Sequence, residues 1–125
     1  VAGRLGVTTA EVVGRHSGVV YRVVAMGFLP GFPYLGYLPE GLRGVGRLAE
    51  PRAAVEAGSV AIAGEQTGIY PRRSPGGWRL LGRTPLVIAD LDEGWLPMAP
   101  GDEVRFRAID GAEFERLRGR RLGEG

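Results

Sequence analysis

The sequence predicts an all-β domain: a closed or half-closed antiparallel β-barrel with short flanking helices, one at each end. Three observations carry that prediction. Glycine and proline make up 31 of the 125 residues, and they fall between short apolar runs as turn punctuation rather than forming an unpatterned tract. Six or seven of those runs are short and rich in β-branched or aromatic residues. Helix-start chemistry occurs only near the two ends of the chain.

Taken in order, Thr8 and Glu11 form a capping box, with Val7 placed to staple against Val12. The helix they open is expected to run to about Arg15 and to end near Gly18. Val19 to Ala25 predicts a largely buried strand. Residues 27–39 (GFLPGFPYLGYLP) then set Pro30, Pro33 and Pro39 among Phe28, Phe32, Tyr34 and Tyr37. Proline lacks an amide donor and fixes φ, so this stretch is expected to be a stiff aromatic loop, neither an inner strand nor a helix. Such a loop either plugs one end of a barrel or offers its aromatic faces as the wall of a ligand site.

In residues 58–71 (GSVAIAGEQTGIYP), Val60 and Ile62 share one strand face and Ala61 and Ala63 the other, with Gly64 to Gly68 turning into the next strand. Residues 74–85 (SPGGWRLLGRTP) give a Pro-Gly-Gly turn, then Trp78, Leu80 and Gly82 alternating with Arg79, Leu81 and Arg83. Leu86 to Ala89 predicts a further buried strand. Pro100-Gly101-Asp102 opens a strand with Val104 and Phe106 inward and Arg105 and Arg107 outward. Asp110 and Glu113 cap a last helix carrying Phe114 and Leu117 on one side. Residues 1–18 thus read as helix and junction, 19–118 as one barrel domain, and 119–125 as a flexible tail.

Composition closes several chemistries. All 16 basic residues are arginine, and the chain has no lysine and no cysteine. A Schiff base, a P-loop lysine, a biotinyl-lysine, a thiol nucleophile, a disulfide and a thiolate metal site are therefore excluded. One histidine, His16, cannot build an imidazole zinc site, and no metal is expected. The net charge of +2 is spread along the chain, and the one arginine-rich run, Arg116 to Arg121, lies at the C-terminal end, so nucleic acid is not an expected partner. No apolar run approaches membrane-spanning length and no leader pattern opens the chain, which predicts no membrane partner and a soluble, cytoplasmic protein. Val1 in place of an initiator methionine reads as a fragment or a processed chain.

Polar residues among turns are the better site candidates, because rigid scaffolds carry their sites on loops. Gln66-Thr67 pairs an amide with a hydroxyl that can bind an amide or carboxylate; a hairpin with polar tips explains the pair equally well. Gly76-Gly77, before Trp78, lets backbone amides approach an anion, as does any Gly-Gly turn. Arg47, Arg52, Arg72 and Arg83 are the guanidinium groups placed to hold carboxylate or phosphate, although most such residues are ordinary surface arginines. His16 at a helix C-terminus is expected to have a raised pKa. Ser17, Ser59 and Ser74 are the serines available to a triad with His16, and nothing in their spacing supports one. Glu65 and Asp102 read as turn residues.

Together, GFLPGFPYL (residues 27–35), Pro51-Arg52, GSVAIAGEQTGIYP, SPGGWRLLGRTP and PGDEVRF resemble, in order and from about Thr8 to Phe114, the allophanate hydrolase subunit 1 family. That family includes the B-type subunit of the ATP-dependent bacterial 5-oxoprolinase and a Kip-type inhibitor of a sporulation histidine kinase. The resemblance implies a cyclophilin-like barrel. It also implies a smaller α/β domain before the barrel, so that residues 1–18 would join a domain missing from this chain. As partners it implies a second barrel-containing subunit or domain and a third lactam-hydrolase subunit.

As function, the resemblance implies part of a composite site for ATP-dependent opening of 5-oxoproline to glutamate. ATP would act in the full complex, with no cofactor covalently bound to this domain. Carried onto this chain, the substrate-binding residues would be Phe32, Tyr34, Arg52, Gln66, Thr67, Tyr70, Gly76, Gly77, Trp78 and Arg83, with no catalytic residue assigned. The alternative is a binding module that inhibits a histidine kinase through the loop around Phe32 and Tyr34. A cyclophilin-like fold by itself does not imply prolyl isomerase activity, and no motif of that enzyme class is present. The family pattern is departed from at Gly46-Arg47, where a Pro-Arg pair is usual, and at Val55-Glu56, where Val-Pro is usual.

Overall fold

The computed structural model describes residues 1–123. A single helical turn, α1 (Ala2–Leu5), precedes α2 (Thr9–Ser17). The predicted capping box is formed: Thr8 Oγ1 accepts from the Glu11 N–H at 3.1 Å, and the Glu11 carboxylate accepts from the Thr8 N–H at 3.2 Å. The helix runs past Arg15 to Ser17 and buries Val12 and His16. No helix among the described residues is long and apolar enough to cross a membrane.

The strands are β1 (Val20–Met26), β2 (Pro33–Gly36), β3 (Arg52–Val55), β4 (Ser59–Ala63), β5 (Gln66–Ile69), β6 (Ser74–Gly76), β7 (Arg79–Arg83) and β8 (Glu103–Arg105). A 3-10 turn at Glu40–Leu42 follows β2, and α3 (Gly111–Leu117) follows β8. Six strands form one sheet in the order β7-β4-β5-β2-β1-β8, and β3 pairs with β6 in a second. Every pairing is antiparallel, as the turn-punctuated sequence predicts.

Strand β4 is covered on both faces. Val60 and Ile62 join a mainly aliphatic core with Val12, Tyr21, Leu35 and Ile88. Ala61 joins an aromatic core of Phe32, Tyr70 and Trp78 on the other side. At about 1.5–3 kcal/mol for each large apolar side chain removed from water, the aliphatic core is the main source of stability. The β4–β5 hairpin turns on two residues, Gly64 and Glu65, with Ala63 opposite Gln66. Gly64 takes φ 59°, the left-handed value such a tight turn needs and glycine supplies. The turn is shorter than predicted, and Gln66 to Gly68 lie in the strand.

Four expectations are corrected. Strand β1 is half-buried rather than largely buried: Tyr21 and Val23 point inward while Val20, Arg22 and Val24 are exposed. The proline-rich stretch does contain an inner strand, since β2 lies between β1 and β5. Pro33 stands first in that strand, where a missing N–H is tolerated. Leu86 to Ala89 is partly buried but belongs to neither sheet, and its one ladder contact among the described residues is a parallel bridge from Val87 to Arg121. The expected tail is pinned from Gly119 to Leu122: Gly119 N–H donates to Pro85 O, Val87 N–H to Arg120 O and Leu122 N–H to Val87 O. Glu124 and Gly125 lie outside the described residues.

At the C-terminal end, Val104 and Phe106 pack on the aliphatic core as predicted. Asp110 caps α3 by accepting from the Glu113 N–H at 2.8 Å.

Candidate functional site

The register of β2, β4 and β5 puts Tyr34, Ala61, Ala63, Gln66 and Gly68 on one side of the six-stranded sheet. The loop before β2 folds back over this side, closed by Phe32 N–H to Leu29 O at 3.0 Å and Gly27 N–H to Phe32 O at 3.2 Å. That delivers Phe32, fully buried, to the middle of an aromatic cluster. Its ring centroid lies 5.2–5.4 Å from those of Phe28, Tyr34, Tyr70 and Trp78, at interplanar angles of 62–85°. These edge-on contacts are each worth about 0.5–1.5 kcal/mol beyond area burial.

Two glycines make the cluster possible by close approach. A Cβ at position 68 would stand 2.7 Å from the Phe32 ring, and one at Gly76 would overlap the Tyr70 phenol. Gly76 is therefore explained by packing under Tyr70. Gly77, whose Cβ would make only ordinary contacts at 3.8 Å, is not so constrained.

Tyr70 is fully buried, and its hydroxyl has no hydrogen bond among the described residues. Burial raises its pKa; the nearby Trp78 backbone and the Arg47 and Arg52 guanidinium groups oppose that rise without cancelling it. Arg52 sits on β3 at the edge of the cluster and reaches over it, Nη1 donating to Trp78 O at 3.4 Å. The result is an aromatic wall, bounded by two arginines, with a phenol hydroxyl beneath that lacks an acceptor. Phe32, Tyr70 and Trp78 are buried, so the ring surface open to a ligand is that of Phe28 and the half-buried Tyr34, with Arg52 at the edge to hold an anion.

Of the ten residues singled out in the sequence, Phe32, Tyr34, Arg52, Tyr70, Gly76, Gly77 and Trp78 come together here. Gln66 lies on the same sheet face at the start of β5, half-buried. Thr67, the next residue, points the opposite way and is fully buried, donating to Ala61 O at 2.8 Å. Arg83 lies at the far end of β7 with Nε donating to Ala57 O at 3.0 Å, away from the wall. Phe28 is not among the ten, yet it belongs to the wall. It is 57% exposed, stacks edge-on against both Phe32 and Tyr70, and adopts φ 62°. A left-handed phenylalanine costs about 1–2 kcal/mol and leaves no trace in the sequence.

The other candidates fall outside the wall. His16 is buried, its Nε2 2.9 Å from Thr67 Oγ1 and its ring 4.6 Å from that of Phe106. Its pKa is not raised, as its place at a helix C-terminus predicts, but lowered by burial to about 4. Desolvation of a buried imidazolium outweighs a helix-end attraction of about 0.3–1 kcal/mol. No serine bonds to it: Ser17 Oγ donates to Val13 O, and Ser74 Oγ to Pro75 O. Asp102 and Glu65 are turn residues, Asp102 accepting from Ala99 N–H at 2.9 Å. Among the described residues, no group of three or more His, Cys, Asp or Glu is placed to hold a metal.

Residues 1–97 match the sequence model for the carboxyltransferase domain, subdomain C and D. Over 108 residues the chain is 54% identical to the B-type subunit of 5-oxoprolinase from Escherichia coli O157:H7, covering 85% of this chain and 49% of that one. The corresponding protein of Haemophilus influenzae is 46% identical, with 86% and 50% covered. A conserved uncharacterized protein from Pyrococcus horikoshii superimposes with a TM-score of 0.82 at 46% identity, over 90% of this chain and 52% of that one. The chain thus spans about half the length of the curated relatives it matches.

Proposed function

The chain belongs to the carboxyltransferase-domain subdomain C and D family, and from that premise we propose that it is the barrel part of a B-type subunit of a 5-oxoprolinase. In this reading it works in a multi-subunit complex, and the aromatic wall is one side of a composite site for ATP-dependent opening of 5-oxoproline to glutamate. The observation that carries the reading is the convergence of Phe32, Tyr34, Tyr70 and Trp78 beside Arg47 and Arg52. The names of the curated relatives favour it over kinase inhibition.

The chemistry sets what the wall must do. A lactam carbonyl is a poor electrophile, and transfer of the ATP γ-phosphoryl group to its oxygen, with ADP leaving, activates the carbon for attack by water, after which the ring C–N bond breaks and inorganic phosphate leaves. In this reading the part of this chain, which has no lysine or thiol, is binding and orientation. Packing against the rings of exposed Phe28 and half-buried Tyr34, which the buried Phe32, Tyr70 and Trp78 hold in place, fixes the small ring, and Arg52 with Arg47 holds a carboxylate or phosphoryl oxygen. Gln66, on the same face, offers both a donor and an acceptor to the lactam amide.

The test is ATP-dependent glutamate release by the complex assembled from this chain and its partner subunits. Losing a charge-assisted hydrogen bond worth about 1.5–3 kcal/mol slows turnover or weakens binding about 10- to 100-fold, so Arg52→Ala should fall in that range. Gln66→Ala should lose activity as well, and Arg83→Ala, at the other end of β7, should stay near wild type. Wild-type activity in both Arg52→Ala and Gln66→Ala would defeat the proposal.

A further inference from the structure

A cavity of about 590 Å³ opens against the aliphatic core, away from the aromatic wall. Its floor is apolar, built from Val60, Ile69, Ile88, Met98 and Phe106. Two stretches of its lining are unbroken in sequence, residues 83–86 and 102–107. Successive strand residues alternate between faces, so the three residues of β8, Glu103, Val104 and Arg105, can all border one space only through the edge of the strand.

Strands β7 and β8 are the two ends of the six-stranded sheet. Among the described residues, strand β8 is paired on one side alone: Asp102 O accepts from Val23 N–H, and Val104 stands opposite Tyr21. In an antiparallel ladder the bonding residues alternate, so positions 102 and 104 face β1. The N–H and C=O groups of Glu103 and Arg105 are left turned toward the cavity. At its rim stand Arg83, Arg105 and Arg107 against Asp102 and Glu103. Arg105 forms no ion pair among the described residues, and the Asp102 carboxylate is held by Ala99 N–H.

We propose that this cavity receives an extended polypeptide segment, which adds as a strand along the free edge of β8. Its inward side chains are apolar and meet the Val60–Phe106 floor, and an acidic side chain lies beside Arg105. An open backbone edge over an apolar floor fits a strand, which satisfies both at once; a compact apolar ligand would satisfy only the floor. The inference makes no use of the aromatic wall and stands or falls separately from the lactam reading.

The probe is an end-capped octapeptide alternating valine with glutamate, compared with the same peptide N-methylated at every residue. The unmethylated peptide should bind saturably, and on saturation the Glu103 and Arg105 amides should gain protection in hydrogen exchange while methylation weakens binding at least about tenfold. Arg105→Pro removes one outward N–H without touching the β1 ladder and should weaken binding more than Arg105→Ala, which removes only the charge. If Arg105→Pro does not fold, the exchange measurement on the unaltered chain still decides. Equal binding of the two peptides, no saturable binding up to about 1 mM, or protected Glu103 and Arg105 amides in the free chain would each overturn the proposal. So would a dimer built on this edge, which would make a second copy the occupant.

Discussion

His16 gives the sharpest test of how the interior is wired. Thr67 Oγ1 donates its one proton to Ala61 O, so the same oxygen must accept from His16. That places an imidazole proton on Nε2, and burial, which lowers the pKa from 6.5 to about 4, keeps the ring neutral at pH 7. The sign follows from linkage. Between those two values the unfolded chain binds a proton that the folded chain refuses, so stability is complete above about pH 6.5 and falls as the pH drops toward 4.

At 1.36 kcal/mol per pKa unit, the loss is about 2 kcal/mol by pH 5 and about 3 kcal/mol by pH 4. The assay is urea unfolding of the wild type and of His16→Gln, which keeps a donor to Thr67 but cannot titrate. Carboxylate titrations cancel in the difference between the two, so the wild-type advantage at pH 7 should shrink by about 2 kcal/mol at pH 5. A difference that stays flat between those pH values, or a His16 titration by NMR with a midpoint near its ordinary value, would refute the reasoning.

Other consequences are as direct. Gly68→Ala sets a methyl 2.7 Å from the Phe32 ring and should cost about 1–3 kcal/mol in denaturant unfolding, whereas Gly82→Ala, whose Cβ meets nothing within 4 Å, should cost far less. The same comparison at Gly76→Ala and Gly77→Ala should lower the melting temperature only in the first, because only position 76 lies against Tyr70. Thr8→Ala removes the acceptor of the Glu11 N–H and should destabilise by about 1 kcal/mol, seen as a lower urea midpoint with an unchanged slope.

Local chemistry is the most legible part of the sequence. The Thr8–Glu11 box, the Asp110 cap, the start of a turn at Gly64 and the outward Arg105 of β8 are readable in advance because each depends on a few adjacent residues. What escapes the sequence depends on distant neighbours. Pro33 argues against an inner strand until its first position in β2 is known. The residues after Arg118 read as a tail until Val87 pairs with them. His16 follows the helix-end rule until Tyr21, Thr67 and Phe106 enclose it. The family resemblance is borne out by the relatives and the matching fold. In the candidate site, most of the wall is legible from the aromatic and glycine motifs. The separation of Gln66 from Thr67 needs the two-residue length of the hairpin, and Phe28 needs its backbone angle.

The unequal sizes of alternate residues in β4 have one more effect. Were β4 to slide by one residue against β5, Val60 and Ile62 would be driven into the Phe32–Trp78 side, and Ala61 and Ala63 would be left to fill the space among Leu35, Tyr21 and Ile88. One side would be overfilled and the other hollow, and each large-to-alanine loss in a core costs about 2–5 kcal/mol. The two alanines contribute little attraction of their own. Their smallness makes every misaligned hairpin wrong twice over, so the strand has one alignment in which both of its sides are satisfied.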